Sequence, residues 1–483
     1  MLTDDAAYEA IQARDARFDG VFFVGVQTTG VYCRPICPAR TPGRARCTFY
    51  PTPAQAEAAG FRPCFRCRPE LAPSQLHDAK PSVDAIDMLV ETATKRINEG
   101  ALNEITIDEL ADELGVTARH LRRATETRLG VSPVELAQTR RLAIAKQLLQ
   151  DTTLPITAIA FAAGFGSVRR FNGMFAAKMG TSPTDIRRKH ASTANDTITL
   201  RLDYRPPYDW QRFLGFLRGR AIPGVEKLDG DTYRRVVHIA GHIGEISVRP
   251  IKDRNALGLT LAPTLLPVVI PLVARVRRMF DLDARPDMID KALARDALLA
   301  PMVKARPGLR LPGAIDSFEA AIRALLGQQV SVAAATTLAG RFAAQLGQKI
   351  GEGDLAYRFP TPKEVAAAGA LRIVKIGMPM KRAEAIANFA RVIDRKEISL
   401  DHAPDLDAFV ASLCELPGIG PWTANYLAMR ALHVPDAFPA ADLGIQKALD
   451  RSGPRDAEAR AEAWRPNRSY AVIHLWTQLS EPV

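Results

Sequence analysis

The chain has 483 residues and a formal net charge of +11. A chain of this length is too long for one hydrophobic core, so about three or four domains are expected. The positive charge favours a polyanionic partner, most simply nucleic acid, although a basic enzyme of another kind has the same property. No apolar run reaches the roughly 18 residues that span a bilayer, and the polar start MLTDDAAYEA is unlike a secretion signal. We therefore expect a cytoplasmic protein.

Composition divides the chain into four segments. The first is rich in Cys, Arg and Pro, the second has a helical pattern, the third contains the strand-like TITLRLDY and GEISVRP, and the last is helical and rich in Ala and Leu. The polar links HDAKPS (77–82) and ASTAND (191–196) separate the first three segments. The predicted domains are residues 1–78, 82–190, 197–283 and 284–483.

Two close pairs of cysteines occur in the first segment, with the spacings C-x3-C and C-x2-C. They supply four thiolates, the number that a tetrahedral zinc site needs, so we predict zinc bound by Cys33, Cys37, Cys64 and Cys67. Cys47 is left over, either as a buried thiol or as a replacement for one of these ligands. On spacing alone, the zinc could serve only to stabilise a small domain with a thin core.

The residues around these cysteines indicate more than a structural role. TTGVYCRPIC (28–37) and GFRPCFRCRP (60–69) resemble the N-terminal domain of Ada-type regulators of the response to DNA alkylation. The resemblance implies that Cys33 attacks the methyl group of a methylphosphotriester in DNA and stays methylated. It also implies contacts with the DNA backbone from Thr29, Arg40 and Arg62.

Electrostatics explains how such a reaction could act as a switch. Zinc keeps its cysteine ligands deprotonated at neutral pH, and the thiolate is the nucleophilic form. Zinc with four thiolates carries two net negative charges, which oppose approach to phosphates. Methylation turns one thiolate into a neutral thioether, so the affinity for DNA is expected to rise.

The second segment contains two similar helical hairpins, at residues 106–133 and 155–183, each with a glycine turn followed by a basic helix. This layout suits insertion of the second helix into the major groove. The pair of hairpins resembles the AraC family of transcription factors, which implies promoter DNA and RNA polymerase as partners. The candidate DNA-binding residues are Arg119, Arg122, Arg123, Arg169, Arg170 and Asn172.

The stretch LPGIGPWTANY (416–426) places two glycines in a short turn, at Gly418 and Gly420. Such a turn can present consecutive backbone N–H groups to a phosphate. An ordinary helix–helix turn has the same composition, so this stretch alone does not decide between the two.

A resemblance to a known enzyme family covers residues 197–480. LPGIG-x-W-T-A-N-Y followed by FPAADLGIQKAL (438–449) is typical of helix-hairpin-helix glycosylases, and RPPYDW, ARPGLRLPG, LLGQQVSVAAA, GMPMKRAEAI and NRSYAVIHLW resemble AlkA-type 3-methyladenine DNA glycosylases. The resemblance implies Asp442 as the catalytic carboxylate, a monovalent cation at the hairpin, and four substrate-binding positions. Three are aromatic residues of the cleft, Trp422, Tyr426 and Trp476, and the fourth is Gln329.

The residue at position 422 indicates which nucleophile attacks the sugar. In relatives that also cut the DNA backbone, a lysine at this position attacks the sugar. Tryptophan has no nucleophilic nitrogen, so water is the expected nucleophile and an abasic site the expected product. Gln329 stands where relatives insert an apolar residue into the emptied base stack.

The predicted fold class is multidomain and mainly α, with a small four-cysteine zinc domain, an AraC-type double helix-turn-helix, an α+β sheet-containing domain and an all-α helix-hairpin-helix glycosylase core. The predicted function is bifunctional: transcription activation switched by methyl transfer to Cys33, and hydrolytic excision of alkylated bases. Two alternative functions remain. The C-terminal part could only bind DNA, or the zinc and helical parts could only dock a repair enzyme on DNA.

Overall fold

The computed structural model describes residues 2–74, 85–189, 197–401, 403, 405–450 and 453–480. Both predicted links, HDAKPS and ASTAND, lie outside these residues. The chain forms two compact units. The first comprises Met1–Pro206, Ile251–Ala274 and Leu282–Ala284, and the second comprises Pro207–Pro250, Arg275–Asp281 and Arg285–Val483.

A four-stranded sheet and two short helices open the first unit. Its elements are α1 (Asp4–Ala13), β1 (Phe23–Val26), β2 (Val31–Cys33), β3 (Cys47–Tyr50), α2 (Pro53–Ala58) and β4 (Arg62–Pro63). The strand order is β3-β1-β2-β4, with β1 antiparallel to both neighbours and β2 parallel to β4. Gly30, at a φ of 63°, provides the left-handed residue in the tight turn between β1 and β2.

Within the described residues, eight helices follow in the first unit. They are α3 (Ala85–Asn98), α4 (Ala101–Glu104), α5 (Ile107–Glu113), α6 (Ala118–Leu129), α7 (Pro133–Asp151), α8 (Ile156–Ala162), α9 (Val168–Met179) and α10 (Pro183–Lys189). Capping boxes at Thr106 and Ser132 start α5 and α7. Gly115 and Gly164 have positive φ at the turns before α6 and α9, so both hairpins have the predicted helix–glycine–helix layout.

Residues 197–279 contain the remaining strands. The elements are β5 (Ile198–Asp203), α11 (Trp210–Arg218), β6 (Glu226–Asp229), β7 (Thr232–Ile239), β8 (His242–Pro250), β9 (Ala256–Leu261) and α12 (Val269–Met279). In the first unit β5 pairs antiparallel with β9, and in the second unit β7 pairs antiparallel with both β6 and β8. The unit boundaries therefore cut through the predicted domain 197–283.

The rest of the second unit is helical. Its helices are α13 (Pro286–Leu293), α14 (Leu299–Ala305), α15 (Ser317–Leu326), α16 (Val332–Leu346), α17 (Pro362–Val374), α18 (Met380–Asp394), α19 (Leu406–Cys414), α20 (Pro421–Arg430), α21 (Leu443–Ala448), α22 (Pro454–Ala461) and α23 (Arg468–Ser480). The multidomain, mainly α fold class is confirmed. Within the described ranges, no helix is both long enough and apolar enough to cross a bilayer.

Candidate functional site

Four cysteine thiols meet in the first unit. Cys33 ends β2 and Cys64 directly follows β4, so the parallel pairing of these strands brings both cysteine loops to one edge of the sheet. All four sulfur atoms lie within 4.8 Å of one another. A tetrahedral zinc ion with Zn–S bonds of about 2.3 Å sets its sulfurs roughly 3.8 Å apart, so this donor set fits one zinc ion. The four ligands are Cys33, Cys37, Cys64 and Cys67.

Cys47 is separate from this set. It begins β3 and is buried in an apolar cluster with Phe22 and Val24. Its thiol donates a weak hydrogen bond to the Gly43 carbonyl oxygen at 3.5 Å. Burial raises the pKa of this thiol, so it remains protonated at neutral pH. Of the two alternatives left by the sequence, the structure supports a buried thiol.

Arg34 supports the cysteine cluster from inside the fold. Its backbone N–H donates to the Cys67 sulfur at 3.4 Å, and its guanidinium donates to the Cys67 carbonyl oxygen at 3.2 Å. The side chain is 1% exposed and forms ion pairs with Asp19 and, at 2.8 Å, with Asp203 on β5. Arg34 therefore connects a zinc-ligand loop to β5 through a buried charge.

Lys146, on α7, also supports the cysteine cluster. Its ammonium group is fully buried and donates to the Cys64 carbonyl oxygen at 3.0 Å and to Glu70 at 2.8 Å. It also lies 4.8 Å from the centroid of the Phe65 ring. Burial of an ammonium group is costly unless it is paired, so these contacts fix α7 against the Cys64–Cys67 loop.

The three residues that the Ada-type resemblance assigns to the DNA backbone are all exposed. Thr29 lies in the turn between β1 and β2, where its hydroxyl donates to the Val26 carbonyl oxygen at 3.4 Å. Arg40 lies in the loop after Cys37. Arg62 lies on β4 with its side chain against Gly180, so close that a Cβ at that glycine would overlap it.

The six candidates in the helical hairpins lie on the second helix of each hairpin. Thr117 and Ser167 cap α6 and α9, accepting hydrogen bonds from the backbone N–H groups of His120 and Arg170. All six side chains are exposed, as direct contact with DNA requires. They are Arg119, Arg122 and Arg123 on α6, and Arg169, Arg170 and Asn172 on α9.

The predicted hairpin joins α19 to α20 in the second unit. Gly418 has a φ of 82°, and a Cβ there would lie 2.8 Å from the Cβ of Ala385. Gly420 has an extended backbone with open space around it. Within the described residues, the N–H groups of both glycines donate to no protein acceptor. Two free amides at an exposed turn are what a phosphate contact needs.

Asp442 is the N-cap of α21, and three donors hold its carboxylate. One oxygen accepts from the Ile445 backbone N–H at 3.0 Å and from the Trp476 indole N–H at 3.1 Å. The other oxygen accepts from the Trp422 indole N–H at 2.9 Å. The backbone N–H at the start of α21 and both indole N–H groups thus fix the position of this carboxylate. With about four acceptor positions on a carboxylate, room remains for one more donor, such as water.

The predicted aromatic residues form a contiguous group beside this carboxylate. The Trp422 and Tyr426 rings stack with centroids 5.3 Å apart, and the Tyr426 and Trp476 rings are tilted at 6.3 Å. Burial tends to raise the pKa of the Tyr426 hydroxyl, but the positive charges of Arg430 and Arg220 outweigh it and the pKa is lowered. The structure therefore brings together Asp442 and all three predicted aromatic residues.

Gly444 is a residue of the candidate site that the sequence analysis missed. A Cβ at this residue would lie 3.0 Å from the Asp442 carboxylate oxygen and 3.3 Å from Leu479. A side chain here would push against the carboxylate that the two indoles hold. The only signal in the sequence is a glycine two residues after the aspartate, inside the first turn of a helix, where glycine is otherwise unfavourable.

Gln329 lies in the loop between α15 and α16. It is exposed and has a φ of 57°, a left-handed conformation that residues other than glycine rarely adopt. The preceding Gln328 holds the loop, because its side-chain amide donates to the Gly418 carbonyl oxygen at 2.9 Å and to the Thr423 hydroxyl at 3.2 Å. The loop is thus attached to the hairpin.

Comparisons with known families agree with this arrangement along the whole chain. Four family models match in succession: the metal binding domain of Ada at residues 6–70, a helix-turn-helix domain at 110–189, the AlkA N-terminal domain at 199–316, and the HhH-GPD superfamily base excision DNA repair protein at 322–466.

Individual relatives show how these parts occur together. A Mycobacterium tuberculosis protein named probable bifunctional transcriptional activator/DNA repair enzyme AlkA is 38% identical over 491 residues, covering 99% of this chain and 97% of that protein. The chain belongs to the same family as this bifunctional transcriptional activator/DNA repair protein. DNA-3-methyladenine glycosylase 2 of Escherichia coli is 38% identical over 275 residues, covering 57% of this chain and 95% of the relative.

A solved structure supports the fold of this family member. The 3-methyladenine DNA glycosylase from Archaeoglobus fulgidus matches with a TM-score of 0.52 at 20% identity, covering 59% of this chain and 99% of that one. At such identity the likeness concerns the fold alone. The predicted fusion of an Ada-type zinc domain, a helix-turn-helix regulator and an AlkA-type glycosylase is confirmed, and the four-cysteine cluster is its zinc site.

Replacing Lys146 with Met should weaken the zinc-binding part of this family member. Glu70, whose side chain is 3% exposed, would lose one of its two cationic partners, and breaking a buried ion pair costs about 3 kcal/mol or more. All four tryptophans lie in the second unit, so tryptophan fluorescence follows that unit. We expect zinc release, followed with a chromogenic chelator, at lower urea concentration and an unchanged fluorescence transition.

Lys178→Met is the matched control, because this lysine lies exposed on α9. It should release zinc at the wild-type urea concentration. Equal midpoints for Lys146→Met and the wild type would contradict the role given to Lys146.

Proposed function

We propose that this protein performs two reactions on alkylated DNA: hydrolytic excision of alkylated bases, and methyl transfer from methylphosphotriesters to Cys33 that switches on transcription. The observation that carries the first reaction is the carboxylate of Asp442, held by two indole N–H groups beside an aromatic group. The relative named DNA-3-methyladenine glycosylase 2 supports 3-methyladenine as a substrate.

In the excision reaction, the damaged nucleotide leaves the duplex, and the aromatic group around Tyr426 receives its base. Removing a base from the stack costs a few kcal/mol, least for a damaged base. As the bond between C1′ and the base nitrogen breaks, its electron pair goes to the base and positive charge develops on the sugar. Asp442 stabilises that charge, orients a water and accepts one of its protons while the water oxygen bonds to C1′.

The group around Asp442 supports water as the nucleophile. Trp422 occupies the position where a lysine would form a covalent adduct, and its indole nitrogen already donates to Asp442. Lys447, further along α21, is exposed. A regulator whose C-terminal part only binds DNA is the less favoured reading, because DNA binding does not require a carboxylate held by two tryptophans.

In the methyl-transfer reaction, the Cys33 sulfur attacks the methyl carbon of the phosphotriester. A sulfur–carbon bond forms, the carbon–oxygen bond breaks, and the phosphodiester leaves with its negative charge. When bound, zinc supplies the stabilisation that keeps the thiols deprotonated. The thiolate cluster thereby loses one negative charge, which favours closer approach to DNA.

Thr29, Arg40 and Arg62 would hold the damaged DNA backbone, and the exposed faces of α6 and α9 would read promoter DNA. Activation further requires contact with RNA polymerase, and we expect the protein to act in the cytoplasm on nucleoid DNA. At the hairpin, the free amides of Gly418 and Gly420 would contact a phosphate, and a monovalent cation held by the same turn would add positive charge that attracts the DNA backbone.

Asp442→Asn should lower the release of 3-methyladenine by at least about 100-fold, because the amide cannot take the proton or offset the positive sugar. Asparagine is as good an N-cap as aspartate, so α21 should persist. Single-turnover release from methylated duplex DNA measures the rate, and a gel-shift assay measures DNA binding, which should stay close to wild type.

Asp405→Asn is the control for this substitution. Asp405 caps α19 in the same way, accepting from the N–H groups of Asp407 and Ala408, and its replacement should leave base release unchanged. A wild-type rate for Asp442→Asn would refute the assigned role and favour a part that only binds DNA.

Borohydride should trap no covalent complex between the protein and alkylated DNA. A Schiff base needs an amine at the sugar, and Trp422, whose indole donates to Asp442, stands where relatives that cut the backbone carry a lysine. Strand breaks should appear only after alkali or an added endonuclease, as gel electrophoresis can show. A trapped adduct would point to another amine, and its loss in Lys447→Met would identify that lysine.

Cys33→Ala should abolish methyl transfer and damage-dependent transcription while base excision continues. The substitution removes the nucleophile, whereas all groups around Asp442 belong to the second unit. Cys67→Ala is the control, because both variants lose one zinc ligand and only the comparison separates metal loss from loss of the nucleophile. The readouts are methyl transfer from phosphotriester DNA and a reporter promoter.

Mass spectrometry of the wild type assigns the nucleophile among the four ligands. Cys33 is 7% exposed, whereas Cys37 and Cys64 are half-buried, so all four sulfurs belong in the comparison. After exposure to methylated DNA, we expect an increase of about 14 Da, one methyl in place of a thiol proton, on the peptide that contains Cys33. The same increase on Cys64 or Cys67 alone would overturn this assignment.

A further inference from the structure

A cluster of charged side chains lies next to Tyr426, within the second unit. A cavity of about 40 Å³ opens among these side chains and the Tyr426 ring. It has room for a few atoms, such as one or two waters, and not for a purine ring. The charged residues that line it are Arg220, Glu226, Arg235, Glu319, Arg323 and Arg430.

Two of the arginines are neutralised. Arg235 pairs with Glu319 at 2.6 Å and with Glu226 at 3.2 Å. Arg323 lies 3.3 Å from Glu226 and 3.8 Å from Glu319. Two cations and two carboxylates thus form a balanced group, as burial of charge requires.

Arg430 is not neutralised. It is 9% exposed, its Nε has no hydrogen-bond partner, and it pairs with no carboxylate of the described chain. Its closest polar contact is the Tyr426 hydroxyl oxygen, 3.4 Å from one guanidinium nitrogen. The guanidinium otherwise packs 4.9 Å from the centroid of the Phe216 ring. A buried cation without a counterion destabilises the folded protein, unless a ligand supplies an acceptor or a negative charge.

Arg220 adds a second unneutralised charge at the same cavity. Its guanidinium lies 4.0 Å from the centroid of the Phe216 ring and donates to the Phe216 carbonyl oxygen at 3.1 Å. Within the described residues it also pairs with no carboxylate. Burial lowers the pKa of both arginines, which reflects the cost of their charge. The cavity therefore presents donors and positive charge without a matching acceptor.

We propose that Arg430 and Arg220 form a donor subsite that binds an acceptor edge of the flipped base and stabilises the negative charge which that edge gains as the glycosidic bond breaks. The inference rests on the proposed excision reaction, and it concerns the leaving base, whereas Asp442 acts on the sugar. Tyr426 lies between the Asp442 group and the donor subsite. Its ring contacts the tryptophans that hold Asp442, and its hydroxyl contacts Arg430.

The charge of the leaving base decides how much this subsite contributes. A cationic alkylated base receives the electron pair of the broken bond and leaves neutral. A neutral base receives the same pair and leaves as an anion, which then takes a proton from solvent. Because Asp442 passes the proton of the attacking water back to solvent, protons balance. Positive charge beside the base stabilises only the second kind of departure.

The test compares two duplexes that each carry one damaged base, cationic 7-methylguanine or neutral hypoxanthine, in single-turnover assays. Arg430→Met keeps the length of the side chain and removes its charge and donors. Hypoxanthine release should fall at least about tenfold, the loss expected for one hydrogen bond to a charged group. Release of 7-methylguanine should stay within about threefold of wild type. Arg430→Lys, which retains the charge, should recover part of the hypoxanthine rate.

Two further variants keep the test decisive. Arg220→Met should shift the ratio of the two rates in the same direction, even if Arg430→Met unfolds. Arg341→Met removes an exposed arginine of α16, away from the cavity, and should leave the ratio unchanged. Equal loss with both bases in Arg430→Met and Arg220→Met would overturn the subsite. A wild-type protein that releases neither of these bases, and no 3-methyladenine from methylated duplex DNA, would instead refute the excision reaction itself.

Discussion

Buried charge must be compensated, and this constraint organises the parts of the protein that carry chemistry. In the first unit, Arg34 and Lys146 are almost fully buried, and both donate to backbone carbonyls of the zinc-ligand loops. Their carboxylate partners come from other segments of the chain. The cysteine loops are thereby attached to β5 and to α7, so the geometry of the metal site depends on residues outside the cysteine motif.

The second unit meets the same constraint at Asp442 with neutral donors. Two indoles and a helix N-terminus stabilise the carboxylate without a cation, which would weaken its attraction for the positive sugar. Arg430 instead contacts the Tyr426 hydroxyl, where we propose that the base leaves. A separation of this kind lets one site stabilise opposite charges on the two fragments of a breaking bond.

The sequence predicted those parts of the site that depend on short motifs. The zinc ligands follow from the spacing of cysteines, and the hairpin from Gly418 and Gly420, since each depends on neighbours in the chain. Lys146 and Arg430 could not be predicted, because each contacts groups brought near by tertiary packing: a carbonyl oxygen distant in sequence for one, and a cavity for the other. A single Lys or Arg in a helix is normally exposed to solvent, so the surrounding sequence does not indicate that it is buried.

The first compact unit extends past the polar link ASTAND. Composition places a boundary at ASTAND, yet β5, which follows it, belongs to the first compact unit. Asp203 on β5 pairs with the buried Arg34, and the Arg201 carbonyl oxygen accepts from Gln147 of α7 at 2.8 Å. Without β5, Arg34 would keep only Asp19 of its two carboxylate partners within the described residues. The strand that begins the glycosylase part is therefore also a structural element of the sensor.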